Sequence, residues 1–362
     1  MISFPISEMM DAAEKLCGFS QDDLAVLKQT LDNIAASPAL LDAFSQIRQK
    51  CVIDLEFDDR PVCADENGLQ LAAALSAVRS SEARLAAEEQ IPMACFYEAL
   101  QDVRVWMHDH INNFGFPGLE YGNGFAWIAL RVLTGEVLRF GRLEYNKSLA
   151  FPDLLIFKHK RTGERQMILN GVYPFDANGR ITVPENAAFR SHTPYGIFNS
   201  YFGNTVDRDG RVSSTCTEFD LRNDWECELR PGDETVYIHI PSGCPLSGFE
   251  ESLKAMKKYY FNLPDFHPKA VICGSWLFSP VLPEILPPDS NLCRFQKIGW
   301  LIPSASPDSD ALRRVFGVKA ELQGVHAVPW KSSLQQKIGE RIARGEKIPG
   351  GRIVLFPDEI PD

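Results

Sequence analysis

The sequence has little of what marks a membrane protein, a nucleic-acid binder or a metal site. Its longest uncharged stretches, such as residues 235–249, contain Pro and Gly and fall short of the ~18 apolar residues that a spanning helix needs. Basic residues are outnumbered, 37 against 48 acidic, and the net charge of −11 argues against nucleic acid as the main partner. A small anionic ligand is compatible with this balance, because a few local donors suffice to bind it.

Cysteine usage indicates a reducing compartment. The 9 cysteines are odd in number and none forms a CxxC pair, which argues against a zinc ribbon and a secreted disulfide scaffold. The N-terminus has neither the basic region nor the long apolar region of a signal peptide. We therefore expect reduced thiols and a cytoplasmic protein without membrane contact. His108 and His110 stand two residues apart on a predicted helix and do not face one another, so we expect no metal site.

The first third of the sequence is predicted to be helical. Apolar residues recur at helical spacing over residues 24–34, after Ser20 and Asp23, which form a plausible capping pair. Pro92 is suited to the first turn of a longer helix that ends near residue 111. These patterns predict a helical N-terminal domain.

Strand patterns replace helical ones after Gly135. Residues 154–158 and 166–173 flank a turn-forming segment, and residues 225–229 and 235–240 flank another. Both pairs are predicted to form hairpins.

A strand–helix–strand unit is predicted next. Strand 235–240 leads through a Gly/Pro loop to a helix at 249–261, for which Ser247 and Glu250 form a predicted capping box, and strand 270–275 follows. Antiparallel strands followed by one such unit are typical of an α+β, or mixed α/β, fold.

The length of 362 residues favours two domains, each with a buried core. We place the helical domain at residues 1–134 and expect it to pack on a mixed β-sheet domain at residues 135–362. The sequence does not indicate an oligomeric state.

The segment most informative about function is VYIHIPSGCPLSGFEESLKAM, residues 236–256. A predicted strand leads into a loop of small residues, and the loop precedes a predicted helix. The free backbone N–H groups at the start of that helix form an anion site. Phosphate or pyrophosphate would fit there. The loop has only Gly243 and Gly248 and no basic residue, so an ordinary strand–helix turn is the alternative.

Three side chains close to this loop are candidates for chemistry. His239 would be a general base near neutral pH if it faced a cleft, and a buried histidine bonded to a backbone carbonyl otherwise. Cys244 would serve a Cys–His hydrolase only within hydrogen-bond reach of an imidazole, and a packed thiol is the alternative. Ser275, at the carboxyl end of the next predicted strand, is a candidate proton donor or simply a helix cap.

A further candidate base lies on the predicted strand VLRFGRLEY, residues 137–145. Period two places Phe140, Arg142 and Glu144 on one face of that strand, close to Arg139 in sequence. A buried Arg–Glu pair is one interpretation, and Glu144 as the general base for an amine is the other.

Six segments, in this order, resemble one bacterial family. They are FYEALQDVRVW, RFGRLEY, HIPSGCPL, GSWLFSP, ILPPDSN and RRVFG. From about residue 96 to 351 the chain is similar to bacterial acyltransferase domain-containing proteins, which join an N-acyltransferase N-terminal domain to a GNAT-like C-terminal domain. The insert at about 151–224 matches this pattern least.

The resemblance implies an N-acyltransferase that uses acetyl-CoA or another acyl-CoA as cosubstrate and a small-molecule amine as acceptor. In GNAT-type enzymes a splayed strand lends backbone groups to pantetheine, and the following loop and helix N-terminus bind the pyrophosphate. Here the cofactor-binding roles would fall on Tyr237, Ile240, Ser242, Gly243, Cys244, Leu246 and Ser247.

The implied mechanism is direct attack of the amine on the thioester. His239 or Glu144 would accept the amine proton, and backbone N–H groups near Ile240 would stabilise the developing oxyanion. GNAT-type enzymes often have a Tyr after the next strand to protonate the thiolate, whereas SWLFSP has none, so Ser275 or water would take that role.

The loop of GNAT-type enzymes also usually begins with Arg or Gln and carries closely spaced glycines, unlike PSGCPLSG here. Both departures favour an alternative function, a catalytically silent GNAT-like module that binds a ligand or a partner.

Overall fold

The computed structural model describes residues 4–59, 63–88, 90–242, 246–304 and 309–361. The chain divides into two compact units. The first consists of Met1–Asn146 and Ile240–Cys244, and the second of Lys147–His239 and Pro245–Asp362. A segment from the later part of the sequence therefore belongs to the first unit. The predicted domain boundary at residue 134 stays a prediction.

The first unit is mainly helical and ends with a hairpin. Helical turns of π type lie at Arg48–Ile53, Tyr121–Phe125 and Ile128–Val132. The α-helices and the hairpin strands are α1 (Ile6–Lys15), α2 (Gln21–Ala35), α3 (Pro38–Ile47), α4 (Leu69–Leu75), α5 (Val78–Leu85), α6 (Met93–Leu100), α7 (Asp102–Phe114), β1 (Leu138–Phe140) and β2 (Leu143–Leu149).

Helix α2 forms where the spacing predicts it. The Ser20 hydroxyl accepts the Asp23 backbone N–H at 3.2 Å, and the Asp23 carboxylate accepts the Ser20 backbone N–H at 2.9 Å. This capping box satisfies two otherwise unpaired N–H groups at the helix start. The predicted helix from Pro92 is interrupted at Gln101, and the break places Asp102 at the start of α7, where its side chain is buried.

The second unit contains two sheets. One has the order β11–β12–β14–β13, in which β11 and β12 are parallel and the other pairs antiparallel. The other is antiparallel with the order β10–β3–β4–β8–β7, and β9 pairs with β8. The strands are β3 (Leu154–His159), β4 (Arg165–Leu169), β5 (Pro174–Phe175), β6 (Phe189–Arg190), β7 (Tyr195–Ile197), β8 (Ser200–Val206), β9 (Val212–Asp220), β10 (Trp225–Leu229), β11 (Glu234–His239), β12 (Ala270–Ser275), β13 (Trp300–Pro303) and β14 (Gly351–Leu355).

Helices follow the strands of the second unit in the later part of the chain. Short 3₁₀ turns lie at Pro184–Asn186, Trp276–Phe278, Val325–Ala327 and Pro357–Glu359. The α-helices are α8 (Phe249–Tyr260), α9 (Leu282–Ile285), α10 (Asn291–Gln296), α11 (Ser309–Phe316), α12 (Val318–Gln323) and α13 (Ser333–Ala343).

One apolar core joins the two sheets of the second unit. It includes Leu154 and Ile156 from the antiparallel sheet and Ile272, Ile302 and Val354 from the mixed sheet. The predicted hairpin of β3 and β4 is confirmed. The predicted hairpin of residues 225–240 is wrong, because β10 pairs with β3 and β11 pairs with β12. Strand β11 has no exposed residue, whereas Glu226 and Cys227 of β10 are exposed.

The architecture is thus mixed α+β, a helical N-terminal region followed by sheets of mostly antiparallel strands, as expected. Strand β11, helix α8 and parallel strand β12 form the predicted strand–helix–strand unit. Among the described residues, no helix has the length and apolar character needed to cross a membrane. The same residues contain no group of three or more His, Cys, Asp or Glu side chains arranged to hold a metal ion.

Candidate functional site

The parallel pair β11–β12 stops pairing before either strand ends. Its register runs from Thr235 opposite Ala270 to Tyr237 opposite Ile272. Strand β12 continues to Ser275 and there pairs only with β14 on its other side, among the described residues. The edge of β12 that faces β11 therefore has backbone groups beyond Ile272 that lie outside the parallel ladder.

The Tyr237 side chain occupies the position where the ladder ends. Its hydroxyl accepts the Gly274 backbone N–H at 2.9 Å and donates to the Gly274 carbonyl at 3.3 Å. Burial raises the pKa of Tyr237 to about 12, so the phenol keeps its proton at neutral pH. A Cβ atom at position 274 would lie 3.1 Å from this hydroxyl, which explains the glycine. The predicted role of Tyr237 concerned its backbone, and the structure adds a hydroxyl bound to the neighbouring strand.

His239 and Ser275 end the two parallel strands. His239 is partly buried, and its ring lies 4.8 Å from the Tyr237 ring at an interplanar angle of 37°. The Ser275 hydroxyl accepts the Leu277 backbone N–H at 3.2 Å and caps the short helical turn Trp276–Phe278. Of the two interpretations of Ser275, this geometry favours the helix cap.

Arg352 of β14 lies against the same part of the second unit. Its guanidinium forms a two-point contact with the Asp153 carboxylate, at 2.5 and 2.7 Å, and lies 4.8 Å from the centre of the Phe151 ring. The Phe151 ring in turn contacts Tyr237, and Arg352 is opposite Gly274 in the β12–β14 pair. A fixed Arg–Asp ion pair therefore lies close to the end of the ladder.

The loop after β11 is described only in part. Gly243 and Cys244 lie outside the described residues, so the structure does not test the predictions made for them. Ser242 and Ser247 are exposed, Ile240 is partly buried and Leu246 is buried. The described part of the loop is anchored at Pro241, whose carbonyl accepts a hydrogen bond from Arg142 Nη2 at 2.9 Å.

The predicted capping box of Ser247 and Glu250 is wrong. Gly248 is the residue that precedes α8, with a φ of 82°, and no side chain caps the helix. This left-handed conformation costs glycine little and ends the loop without a side-chain cap. The first turn of α8 carries Glu250 and Glu251, and Arg294 pairs with Glu250 at 2.7 Å.

Glu144 lies in the first unit, in a buried cluster of charged groups. Arg139 Nη1 is 3.9 Å from the Glu144 carboxylate and 3.8 Å from that of Asp102. Trp127 Nε1 donates to the second oxygen of Asp102 at 2.7 Å. The side chains of Asp102, Arg139 and Glu144 are at most 9 % exposed.

Burial and mutual repulsion oppose the ionisation of both carboxyl groups of this cluster. Burial and the neighbouring Asp102 carboxylate raise the pKa of Glu144 well above its ordinary value, against the opposing effect of Arg139. Burial likewise raises the pKa of Asp102. Because like charges this close cannot both be ionised, one carboxyl stays protonated and hydrogen-bonded to the other. We assign the proton to Glu144, since Asp102 accepts the Trp127 N–H.

The expected single strand at 137–145 is a hairpin, so the predicted shared face is wrong. Gly141 has a φ of 66° and turns the chain between β1 and β2. Arg139 is opposite Glu144 across the hairpin, and Arg142 belongs to the turn. The geometry favours the buried Arg–Glu pair over a general base.

A cavity of about 530 Å³ opens elsewhere in the first unit, beside α2. Its walls include Val26, Thr30, Asn33 and Phe116. None of the predicted site residues lines it. Glu66 is the one acidic or basic residue of its lining, so the cavity has no evident acid–base pair.

Several residues of these sites were not predicted. Asp102 and Arg352 each interrupt an otherwise apolar buried pattern, and that interruption is the signal that could have identified them. The contact of Arg142 with Pro241 joins residues 99 positions apart and leaves no local pattern in the sequence.

Comparisons with known proteins give a consistent result. The model of the GNAT-like C-terminal domain family matches residues 137–354, and that of the N-acyltransferase N-terminal domain matches residues 7–135. No curated protein sequence matches the chain significantly.

Solved structures similar to this chain are acyltransferases. One, in complex with decanoyl-CoA, is 19% identical with a TM-score of 0.61 and covers 98% of this chain and 88% of its own. A variant in complex with octanoyl-CoA is 18% identical with a TM-score of 0.60 and the same coverage. A third, with decanoyl-CoA and teicoplanin, is 18% identical with a TM-score of 0.58, again with 98% and 88% covered.

Proposed function

Because the chain belongs to the family with a GNAT-like C-terminal domain, we propose that it transfers an acyl group from an acyl-CoA to an amine. The observation that carries this proposal is the end of the β11–β12 ladder at Tyr237 and Ile272. Beyond that point the Tyr237 hydroxyl, not β11, holds the Gly274 N–H and carbonyl, and an extended, amide-containing ligand such as pantetheine can pair with these groups by displacing that hydroxyl, as an added strand would.

The donor and acceptor classes follow the structural neighbours. Those proteins hold decanoyl-CoA or octanoyl-CoA, and we propose donors of similar chain length for this chain. One of them also holds teicoplanin, which supports a small-molecule acceptor here. A cytoplasmic location, expected from cysteine usage, belongs to the same proposal.

Direct attack of a neutral amine on the thioester requires a group that accepts a proton. Of the two predicted bases we propose His239, because it ends β11 immediately before the loop and is only partly buried. Glu144 holds a proton already and is buried, so it is poorly suited to accept another. The backbone N–H groups near Ile240 are proposed to stabilise the oxyanion, which forms only in the transition state. Ser275 is engaged as a cap, so we propose water as the donor to the thiolate.

Replacing His239 tests the proposed base. We expect His239→Ala to lower kcat about 10²- to 10⁴-fold, because a positioned general base contributes that much. Affinity for decanoyl-CoA should change less than about twofold, since the base acts only in the transition state. Thiol release from decanoyl-CoA with a panel of amino sugars and aliphatic amines measures the rate, and calorimetry measures the affinity.

His267→Ala is the matched control. His267 is an exposed histidine of the same unit, and its backbone N–H, not its ring, donates to Glu234. The control should leave the rate unchanged. Turnover by His239→Ala at the wild-type rate would exclude His239 as the base.

The silent binding module is the second candidate. It is favoured by the engagement of Ser275 as a cap and by the two glutamates in the first turn of α8, which weaken anion binding there. Saturable binding of decanoyl-CoA without thiol release for any amine would support this candidate over the enzyme.

A further inference from the structure

The turn between β1 and β2 is fixed from two directions. The Gly141 backbone N–H donates to the Glu98 carboxylate of α6 at 2.9 Å. The Gly141 carbonyl accepts the Arg139 Nε–H at 3.1 Å, and Arg139 itself belongs to the buried cluster with Asp102 and Glu144. Arg142, the next residue, therefore extends from a backbone that the helices of the first unit hold in place.

Arg142 reaches the loop that follows β11. Its Nη2 donates to the Pro241 carbonyl at 2.9 Å, and the loop segment Ile240–Cys244 belongs to the same compact unit as Arg142. Proline has no backbone N–H, so its carbonyl is the one backbone group at position 241 that can be held by a hydrogen bond. A bond from a charged donor is stronger than one between neutral groups.

The loop also lacks a positive charge of its own. The sequence PSGCPLSG contains no basic residue, although the loop is proposed to receive the pyrophosphate of the acyl-CoA. Arg142 brings a guanidinium to the first residues of that loop. Backbone N–H groups bind phosphate well only when the loop is held in one conformation, because ordering a free loop costs conformational entropy.

We propose that Arg142 is a positioning residue for acyl-CoA: it fixes the start of the loop at Pro241 and so sets the affinity for donors that carry the CoA pyrophosphate. This inference rests on the proposed function. It also gives the helical N-terminal region a role in donor binding. The affinity for donors that end in pantetheine, without the phosphates, should not depend on Arg142.

The experiment compares two thioesters that differ only in the nucleotide part. Calorimetry measures the Kd of decanoyl-CoA and of S-decanoyl-pantetheine with the wild-type chain and with Arg142→Met. We expect the variant to bind decanoyl-CoA about 10- to 100-fold more weakly, the range for loss of a hydrogen bond from a charged group. Its Kd for S-decanoyl-pantetheine should change less than about twofold, because that ligand lacks the pyrophosphate that the loop is proposed to bind.

Two further variants sharpen the comparison. Arg84→Met is the matched control, because Arg84 Nη2 donates to the Leu133 carbonyl at 3.0 Å in the same unit, and it should leave both affinities unchanged. Arg142→Lys keeps the charge and one donor but loses the planar fork, so it should weaken decanoyl-CoA binding less than Arg142→Met. Arg142→Lys also supplies the two-ligand comparison if Arg142→Met does not fold.

Each outcome bears on the proposal. Equal weakening of both thioesters, or an unchanged Kd for decanoyl-CoA, would overturn the role of Arg142 and leave the proposed function standing. Wild-type protein that binds neither thioester would instead refute the proposed function, and this inference with it.

Discussion

Replacing Glu144 with Gln should make the protein less sensitive to rising pH. In the folded chain Glu144 keeps its proton, because burial and Asp102 raise its pKa well above the ordinary value. In the unfolded chain it loses that proton near its ordinary pKa. The stability contributed by this group is therefore fully present below the ordinary pKa and is lost as pH rises toward the folded pKa.

The size of the effect follows from proton linkage. One proton retained only by the folded state lowers the free energy of unfolding by about 1.4 kcal/mol per pH unit. Gln cannot titrate, and Asp102 remains as the single anion beside Arg139. We expect the stability of Glu144→Gln relative to wild type to rise with pH above the ordinary pKa of Glu, by at most about 1.4 kcal/mol per pH unit.

Urea unfolding at pH 5.5, 6.5 and 7.5, with linear extrapolation to water, measures this difference. Arg139→Met is the companion variant, because it leaves a buried negative charge without a partner and should cost about 3–5 kcal/mol. If the stability difference between Glu144→Gln and wild type does not change across the pH series, the conclusion that Glu144 keeps its proton in the folded chain is refuted. If Glu144→Gln lowers turnover 10²-fold or more, as removal of a general base does, Glu144 is the general base of the reaction.

Two more variants test other parts of the fold. Burial raises the pKa of Asp65 to about 6, although its carboxylate accepts the Leu71 and Leu119 backbone N–H groups. The stability that this acid contributes is therefore fully present below its ordinary pKa and is lost as the pH rises to about 6. Asp65→Asn should gain about 2 kcal/mol relative to wild type between pH 4 and 6.5 in the same urea assay, and an unchanged difference would contradict the buried acid. A Cβ atom at Gly351 would lie 1.9 Å from the Phe278 carbonyl oxygen, so Gly351→Ala should lower the free energy of unfolding by about 3 kcal/mol. The matched control is Gly196→Ala, because a Cβ atom there has its nearest neighbour at 3.6 Å. It should lower the free energy of unfolding by less than about 1 kcal/mol. Equal urea midpoints for these two glycine variants would show that β14 can shift to accept the methyl group.

Elements with local signals were predictable from the sequence. Helix α2 follows from a capping pair and apolar spacing, both of which act within a few residues. Strand β12 was predicted at its observed bounds, because a short apolar run ending at Gly274 and Ser275 fits a strand inside a sheet. The strand–helix–strand unit predicted here is present as β11, α8 and β12, and the helix between the strands is the kind of connection that parallel pairing requires.

Features decided by one backbone angle or by distant residues were not predictable. A φ of 66° at Gly141 converts one expected strand into a hairpin and moves Arg142 into its turn. Strand β10 has the composition of a hairpin partner for β11, yet it pairs with β3, some seventy residues earlier in the chain, at the register Trp225–His159. Gly248 replaces a side-chain cap that the sequence favours at Ser247. Local pattern carries no information on such choices, which depend on the rest of the fold.

The return of Ile240–Cys244 to the first unit has a consequence for synthesis of the chain on the ribosome. Residues 147–239 separate the two parts of that unit, a gap of 93 residues. At roughly 5–20 residues per second, Pro241 emerges about 5 to 20 seconds after the β1–β2 hairpin. During that interval the nascent helical unit has Arg142 but not the carbonyl that Arg142 binds. The hydrogen bond between Arg142 and the Pro241 carbonyl can form only after the strands of the second unit's antiparallel sheet have been synthesised.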